Sequence, residues 1–267
     1  MEAKKGRREM KKFELTTEFI TNVAGKKLFR IKALVEFGNV KAGELGGYVE
    51  KEGNISQDGN AWVFGDAKVS GNAEISRDAK VYGNAAVSGD AKVYGNAKVH
   101  GNAKVHGNAK VHGNAEISRD AEVYGNAEVS GDATVSGNTK VSGDAWVTGN
   151  AWVTDNAEVT GNATVYNNAW VFGDAKVSGN AKVSGNAWVS GNIDYALAQG
   201  FGTKFRCTTF YRGKNKKIMV NCGCFHGDLE EFRKQVKETR NGKIAKEYLM
   251  IADLMEYHFT GEGSDDE

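Results

Sequence analysis

Proline is absent from all 267 residues, and leucine is absent between Leu45 and Leu197. Leucine is ordinarily the commonest core residue, so this stretch cannot bury the mixed aliphatic core of a helical bundle or a doubly wound sheet. Cysteine is scarce. Cys207, Cys222 and Cys224 are odd in number and lie outside the repetitive middle, which argues against a disulfide framework and fits a reducing compartment. No apolar run approaches the ~18 residues that span a bilayer, and no signal-peptide core opens the chain. A soluble cytoplasmic protein with no membrane partner is therefore expected. Charge of one sign is lacking too: the net value is +1, so no global field points to nucleic acid. The local basic arm at residues 4–12 (KKGRREMKK) reads as a solvated tail. Disordered chains are poor in β-branched residues, whereas here valine or isoleucine recurs at fixed intervals, so disorder is excluded as well.

What is abundant is glycine, 34 residues, and its spacing is periodic. From Asn60 the chain repeats G-[N/D]-A-x-[V/I]-x, as in GDAKVS at 65–70 and in three successive copies of GNAKVH from Gly95. Twenty-two hexads follow one another without insertion, Val63 supplying the first aliphatic position and Val189 the last. Alanine stands two residues before each aliphatic one except at Thr139, and Asn or Asp always stands three before. So strict a period marks a solenoid. Alternate side chains of a strand share a face, so Ala and Val of each A-x-V point inward and x points outward. The core is thin, and proline in such strands would remove a ladder hydrogen bond. The Gly-[N/D] step is expected to be the corner. Gly gives way to Arg77, Arg119, Asp155 and Asn167 while Asn/Asp never changes, so the Asn/Asp position reads as the more demanding of the two.

The outward residues report how many hexads close a coil, because neighbours on stacked coils lie about 4.8 Å apart and like charges there repel. With three hexads per coil, residues 18 apart stack, giving seven opposite-charge neighbours against two like-charge ones, Lys80 over Lys98 and Lys92 over Lys110. The ladder Lys104, Glu122, Lys140, Glu158, Lys176 is unbroken. Two hexads per coil would give three opposite pairs and five like ones. Three sides are therefore expected.

This pattern resembles the hexapeptide-repeat left-handed β-helix. Residues 37–67 (FGNVKAGELGGYVEKEGNISQDGNAWVFGDA) resemble the lead-in segment of YdcK-type β-solenoid proteins of bacteria and their phages. Residues 208–232 (TTFYRGKNKKIMVNCGCFHGDLEEF) are similar to the tail domain of polymer-forming hexapeptide proteins encoded in phages and prophages. The resemblance implies an all-β fold, a three-sided left-handed parallel β-helix of about seven rungs with an N-terminal β cap and a small C-terminal α+β domain. It lends no biochemical role.

The chain divides into a basic arm (1–11), an N-terminal β-hairpin and cap (12–58), the hexapeptide solenoid (59–193), the α+β domain (194–261) and an acidic tail (262–267). Exposed strand edges at the two ends of a solenoid are templates for polymerisation unless covered, and the flanking segments are natural covers. In the α+β domain, strands are expected near Lys204–Tyr211 and Lys217–Asn221. A helix should start at the Asp228-x-x-Glu231 capping pattern with Leu229, Phe232 and Val236 on one face. A second, Ile244 to Phe259, follows Asn241-Gly242, its apolar face directed at the hairpin or at a partner.

Several residues invite a chemical role. His100, His106 and His112 stand at equivalent positions on three successive sides and cannot share a metal ion within one chain, since zinc–nitrogen bonds are ~2.0 Å. An acyltransferase with a histidine base is the enzymatic alternative for this fold, but the coil has no projecting loop to shape a donor site. A calcium roll would need paired acidic ligands, and no two Asp stack 18 apart. Cys207, Cys222, Cys224 and His226 are candidate zinc ligands, set against the commoner outcome of buried thiols. All five tryptophans occupy outward positions. Trp152, Trp170 and Trp188 should stack on one side with Phe172 at the edge, and Trp146 is added to this interaction face. Such a strip is covered by a terminal domain, by another copy or by a foreign partner. Lys204, Arg206, Arg212, Lys214, Lys216 and Lys217 form a basic cluster suited to anionic ligands, or else a solvated hairpin.

The leading expectation is a non-enzymatic scaffold without cofactor, homo-oligomeric through its Trp face, which presents the C-terminal domain. One alternative is a phage accessory factor that inhibits or sequesters a host protein or a small anionic ligand. Acyl transfer is the other.

Overall fold

The structure, a computed structural model, describes residues 11–260, so the basic arm apart from Lys11 and the whole acidic tail lie outside the described residues. Each hexad contributes one two-residue strand, and residues 18 apart pair in parallel, as in Lys104 with Glu122 and Lys140 with Glu158. The strands stack into three sheets, one per side. One side runs from Lys68–Val69 to Lys176–Val177, the next from Trp62–Val63 to Trp188–Val189, and the third from Glu74–Ile75 to Lys182–Val183. Every inward alanine and aliphatic residue of the repeat is buried, and together they form a single continuous core. The architecture is a three-sided parallel β-solenoid with the stacking of a left-handed β-helix.

It has about eight turns rather than about seven. The additional turn comes from the segment before the hexads: Tyr48–Val49 pairs in parallel with Lys68–Val69, and Ile55 bridges to Ile75. Neither has the G-[N/D]-A spacing that betrays the repeat.

The corner differs from expectation in its chemistry. Left-handed backbone falls on the Gly position, for example Gly71 at φ +68°, and on its four replacements Arg77, Arg119, Asp155 and Asn167 at +60° to +62°. A Cβ at Gly71 would approach the Gly89 carbonyl oxygen of the next coil to 2.9 Å, so the close approach of neighbouring coils adds to the demand for glycine. The constancy of Asn/Asp has another cause. The side-chain amide of Asn84 donates to Asn102 (3.2 Å), and that of Asn102 to Asp120 (2.9 Å). Asn96, Asn114 and Asp132 form a second such column, at 2.9 and 2.7 Å. An aspartate accepts but cannot donate, so it ends a column, and two stacked aspartates would repel.

Both ends of the coil are closed by hydrogen bonds. At the N-terminal end, Phe13–Thr21, Lys27–Ala33 and Leu45–Val49 form an antiparallel extension of one solenoid sheet. Trp62, which its hexad position would turn to solvent, is 0% exposed under Phe13 and Phe37, with ring centroids 5.9 and 5.3 Å away. Lys12, at the edge of the basic arm, is buried, and its ammonium donates to the carbonyls of Gly59 (3.3 Å) and Ala61 (3.0 Å). The Asn54 amide donates to the carbonyls of Gly71 (3.1 Å) and Ala73 (2.9 Å). First-coil carbonyls have no preceding coil to bond, and these side chains replace it.

The C-terminal domain has four antiparallel strands, Tyr195–Phe201, Arg206–Arg212, Ile218–Cys222 and Phe225–Asp228, then α1 (Leu229–Thr239) and α2 (Gly242–Thr260). The first and last strands escape the sequence pattern because a bulge (between Ala198 and Phe201) interrupts one and Gly and Asp dilute the other. The α1 capping box forms as expected: the Glu231 N–H donates to Asp228 Oδ1 (3.0 Å) and the Asp228 N–H to Glu231 Oε2 (2.8 Å). The buried face of α2, Ile251, Ala252, Met255 and Phe259, packs within this domain rather than on the N-terminal hairpin. The sheet closes the last coil. The Lys182 N–H donates to Thr209 Oγ1 (2.9 Å), the Asn221 amide to the Lys182 carbonyl (2.7 Å), and the Lys176 N–H to Asn192 Oδ1 (2.8 Å). Tyr195 donates its hydroxyl to the Lys176 carbonyl. Tyr211 enters the solenoid core, its hydroxyl 3.2 Å from Ser184 Oγ, and burial pushes its pKa up to about 12.

Candidate interaction surfaces

The 18-residue spacing brings three tryptophans into register on one side. Trp152 and Trp170 stack with centroids 5.1 Å apart and planes 5° from parallel, and Trp170 and Trp188 at 5.1 Å and 16°. Phe172 meets Trp188 edge-on at 4.9 Å. Trp152 and Trp170 remain 43% and 38% exposed, so neither terminal segment covers them among the described residues. Trp188 is half-buried. Beside it Asn186, Lys214 and Trp170 line a small pocket, and the Lys214 N–H donates to the Asn186 carbonyl (2.8 Å). Trp146 does not join this stack. It lies on the adjoining sheet, between Glu128 and Thr164, because six residues separate it from Trp152 and six residues are one side of the coil.

The three histidines also occupy three different columns. His100, His106 and His112 each place Nε2 3.0 Å from the carboxylate of Glu116, Glu122 or Glu128 on the next coil. Each ring stacks on a tyrosine of a neighbouring coil: Tyr82 at 4.6 Å, Tyr124 at 5.2 Å and Tyr94 at 4.7 Å, respectively. They extend the ladder rather than converge.

The cysteine set separates as well. Cys222-Gly223-Cys224-Phe225 is the turn joining two strands rather than a strand itself, with Cys222 paired to Phe225 and Asn221 to His226. Directly opposed residues share a face, so His226 lies with Asn221 on the solenoid side of the sheet and Cys222 on the helix side. Cys222 accepts a hydrogen bond from Thr208 (3.1 Å), and burial raises the Cys207 thiol above its ordinary range. Among the described residues no three His, Cys, Asp or Glu side chains are grouped to hold one metal ion.

The basic cluster divides into cations with and without partners. Arg212 pairs with Asp194 (3.0 Å) and donates to the Phe259 carbonyl (2.6 Å), and Lys217 pairs with Asp228 (2.7 Å). Lys216 sits in the hairpin turn at φ +62°. Lys204 and Arg206 instead line a cleft of about 400 Å³ together with Arg240, Tyr248, Phe225 and Phe232. Arg240 and Tyr248 belong to the helical half of the domain and have no counterpart in the sequence cluster. Burial first, and then Cys222, raise the Tyr248 hydroxyl, against the opposing pull of Arg240 and Arg206.

Neither a scan against protein-family models nor a search of curated proteins returns a match to this chain. No helix among the described residues is long and apolar enough to cross a membrane.

Proposed function

We propose that this chain is a non-enzymatic scaffold, a rigid capped β-solenoid that pairs with a second copy of itself through the Trp152, Trp170, Trp188 stack and presents its C-terminal domain at one end. The carrying observation is the stack itself, aromatic surface left open on a coil whose other outward rows are mainly Lys, Glu and Thr. A second copy is the occupant of choice because side chains hydrogen-bond both strand edges at the ends, which leaves the lateral face as the route for association. A two-fold pairing sets the same rings against themselves, as isologous interfaces do. The resemblance of the two flanking segments to YdcK-type and phage-encoded polymer-forming proteins supports a phage or prophage source and action in the bacterial cytoplasm.

Light scattering coupled to size exclusion tests the pairing. The expected result is a dimer at micromolar concentration that becomes monomeric in the Trp152→Ser, Trp170→Ser double variant, with unchanged circular dichroism. A monomeric parent protein at about 100 μM, a weak affinity for a specific dimer, overturns it.

A further inference from the structure

We infer that the cleft between α1, α2 and the Cys222–Phe225 turn is a binding site for a nucleoside phosphate. Its charge is the first argument. Lys204, Arg206 and Arg240 line it, and no carboxylate does so among the described residues. The other two arginines of the domain are matched, Arg212 by Asp194 and Arg233 by Glu230, Asp253 and Glu256. Among the described residues Lys204 and Arg206 form neither ion pair nor side-chain hydrogen bond, and the Arg240 guanidinium donates only to the Thr239 carbonyl (3.1 Å). Converging unmatched cations repel one another, and an anion with several acceptor oxygens relieves that repulsion. Two guanidinium groups suit phosphate, which accepts paired hydrogen bonds from each.

The second argument is the wall. Phe232 lies at the centre of an aromatic group, 5.5 Å from Phe225 and 5.9 Å from Tyr248, with planes at 52° and 89°. Phe225, Phe232 and Tyr248 all line the cleft, so its apolar side offers ring faces and edges to a flat group. The volume, about 400 Å³, is that of a small-molecule site.

The third is the room made for the polar groups. Gly223 (φ +63°) and Gly202 (φ +69°) are chain neighbours of the cleft-lining Cys222, Cys224 and Thr203; a Cβ on the first would displace the Arg206 guanidinium and on the second would crowd the Tyr248 ring and hydroxyl. The turn between Gly202 and Arg206 also holds Phe205 in left-handed backbone at φ +47°, with its ring exposed. A phosphate against Arg206, Arg240 and Lys204, with a base against the aromatic wall, uses both the cations and the rings that line the cleft.

Isothermal titration of the full chain with ribonucleoside mono- and triphosphates, adenosine and inorganic pyrophosphate tests the assignment. At least one nucleoside phosphate should bind saturably, with adenosine and pyrophosphate each weaker by about tenfold or more. Arg206→Gln and Arg240→Gln should each weaken binding by about tenfold, the loss of a charge-assisted hydrogen bond, at unchanged melting temperature. Lys204→Gln, in an exposed turn, serves as a third variant should either arginine be needed for folding. Absence of saturable binding at about 1 mM of every nucleotide, or binding that survives all three substitutions, overturns the site. Pyrophosphate binding as tightly as the triphosphates overturns the role of the aromatic wall.

Discussion

The ammonium of Lys12 donates to the Ala61 carbonyl at 3.0 Å, at the point where the first coil has no preceding coil to bond it. Burial of this charge lowers its pKa from 10.5 to about 8, against the pull of Asp58 and Asp78. Below about pH 8 folded and unfolded chains both carry the proton, and the full cost of burying the charge applies. Between about 8 and 10.5 the folded chain releases the proton while the unfolded chain retains it, so stability rises with pH. Thermal melts from pH 7.5 to 10 should show this rise in the parent relative to Lys12→Gln, which keeps a donor but does not titrate. Parallel pH profiles in the two proteins would contradict it.

Asn102 is the middle of the column Asn84, Asn102, Asp120. Asn102→Asp removes the donor to Asp120 and stacks two carboxylates on adjacent coils. We expect a loss of about 0.5–1.5 kcal/mol at pH 7, the ladder being exposed, shrinking towards pH 3 as the carboxylates protonate. Asn102→Ala should lose less at pH 7 and show no such recovery. Urea unfolding at both pH values measures the difference.

Trp62 and Trp170 hold the same hexad position on the same sheet, yet Trp62 is 0% exposed and Trp170 38%. Trp62→Ala should cost about 3–5 kcal/mol, somewhat offset because its indole N–H has no acceptor among the described residues. Trp170→Ala should cost less in the monomer, about 1–2 kcal/mol, for the loss of two stacked neighbours. Comparable losses in chemical denaturation would mean that the cap does not cover Trp62.

Most of the coil was legible in the chain. The G-[N/D]-A-x-[V/I]-x period and the alternation of charge at 18-residue spacing name the inward residues, the three sides and the Trp152, Trp170, Trp188 column. This is so because each contact in a solenoid joins equivalent residues at one fixed separation, so register and sequence carry the same information. The six-residue step between Trp146 and Trp152 carried it too, placing them on different sides.

The tertiary structure decided what lies outside that period. Whether an outward tryptophan meets water or Phe13, and whether a lysine of a basic arm is a solvated charge or a plug for Ala61, depends on segments with no periodic relation to the coil. The same is true of the cleft, where Arg206 from a strand meets Arg240 and Tyr248 from the helical hairpin. Even the corner needed the fold: glycine is favoured by its dihedral, but asparagine by a neighbour 18 residues away whose side chain it meets. Repetition writes contacts into the sequence because they recur, whereas a cap or a cleft is made once, by residues far apart in the chain.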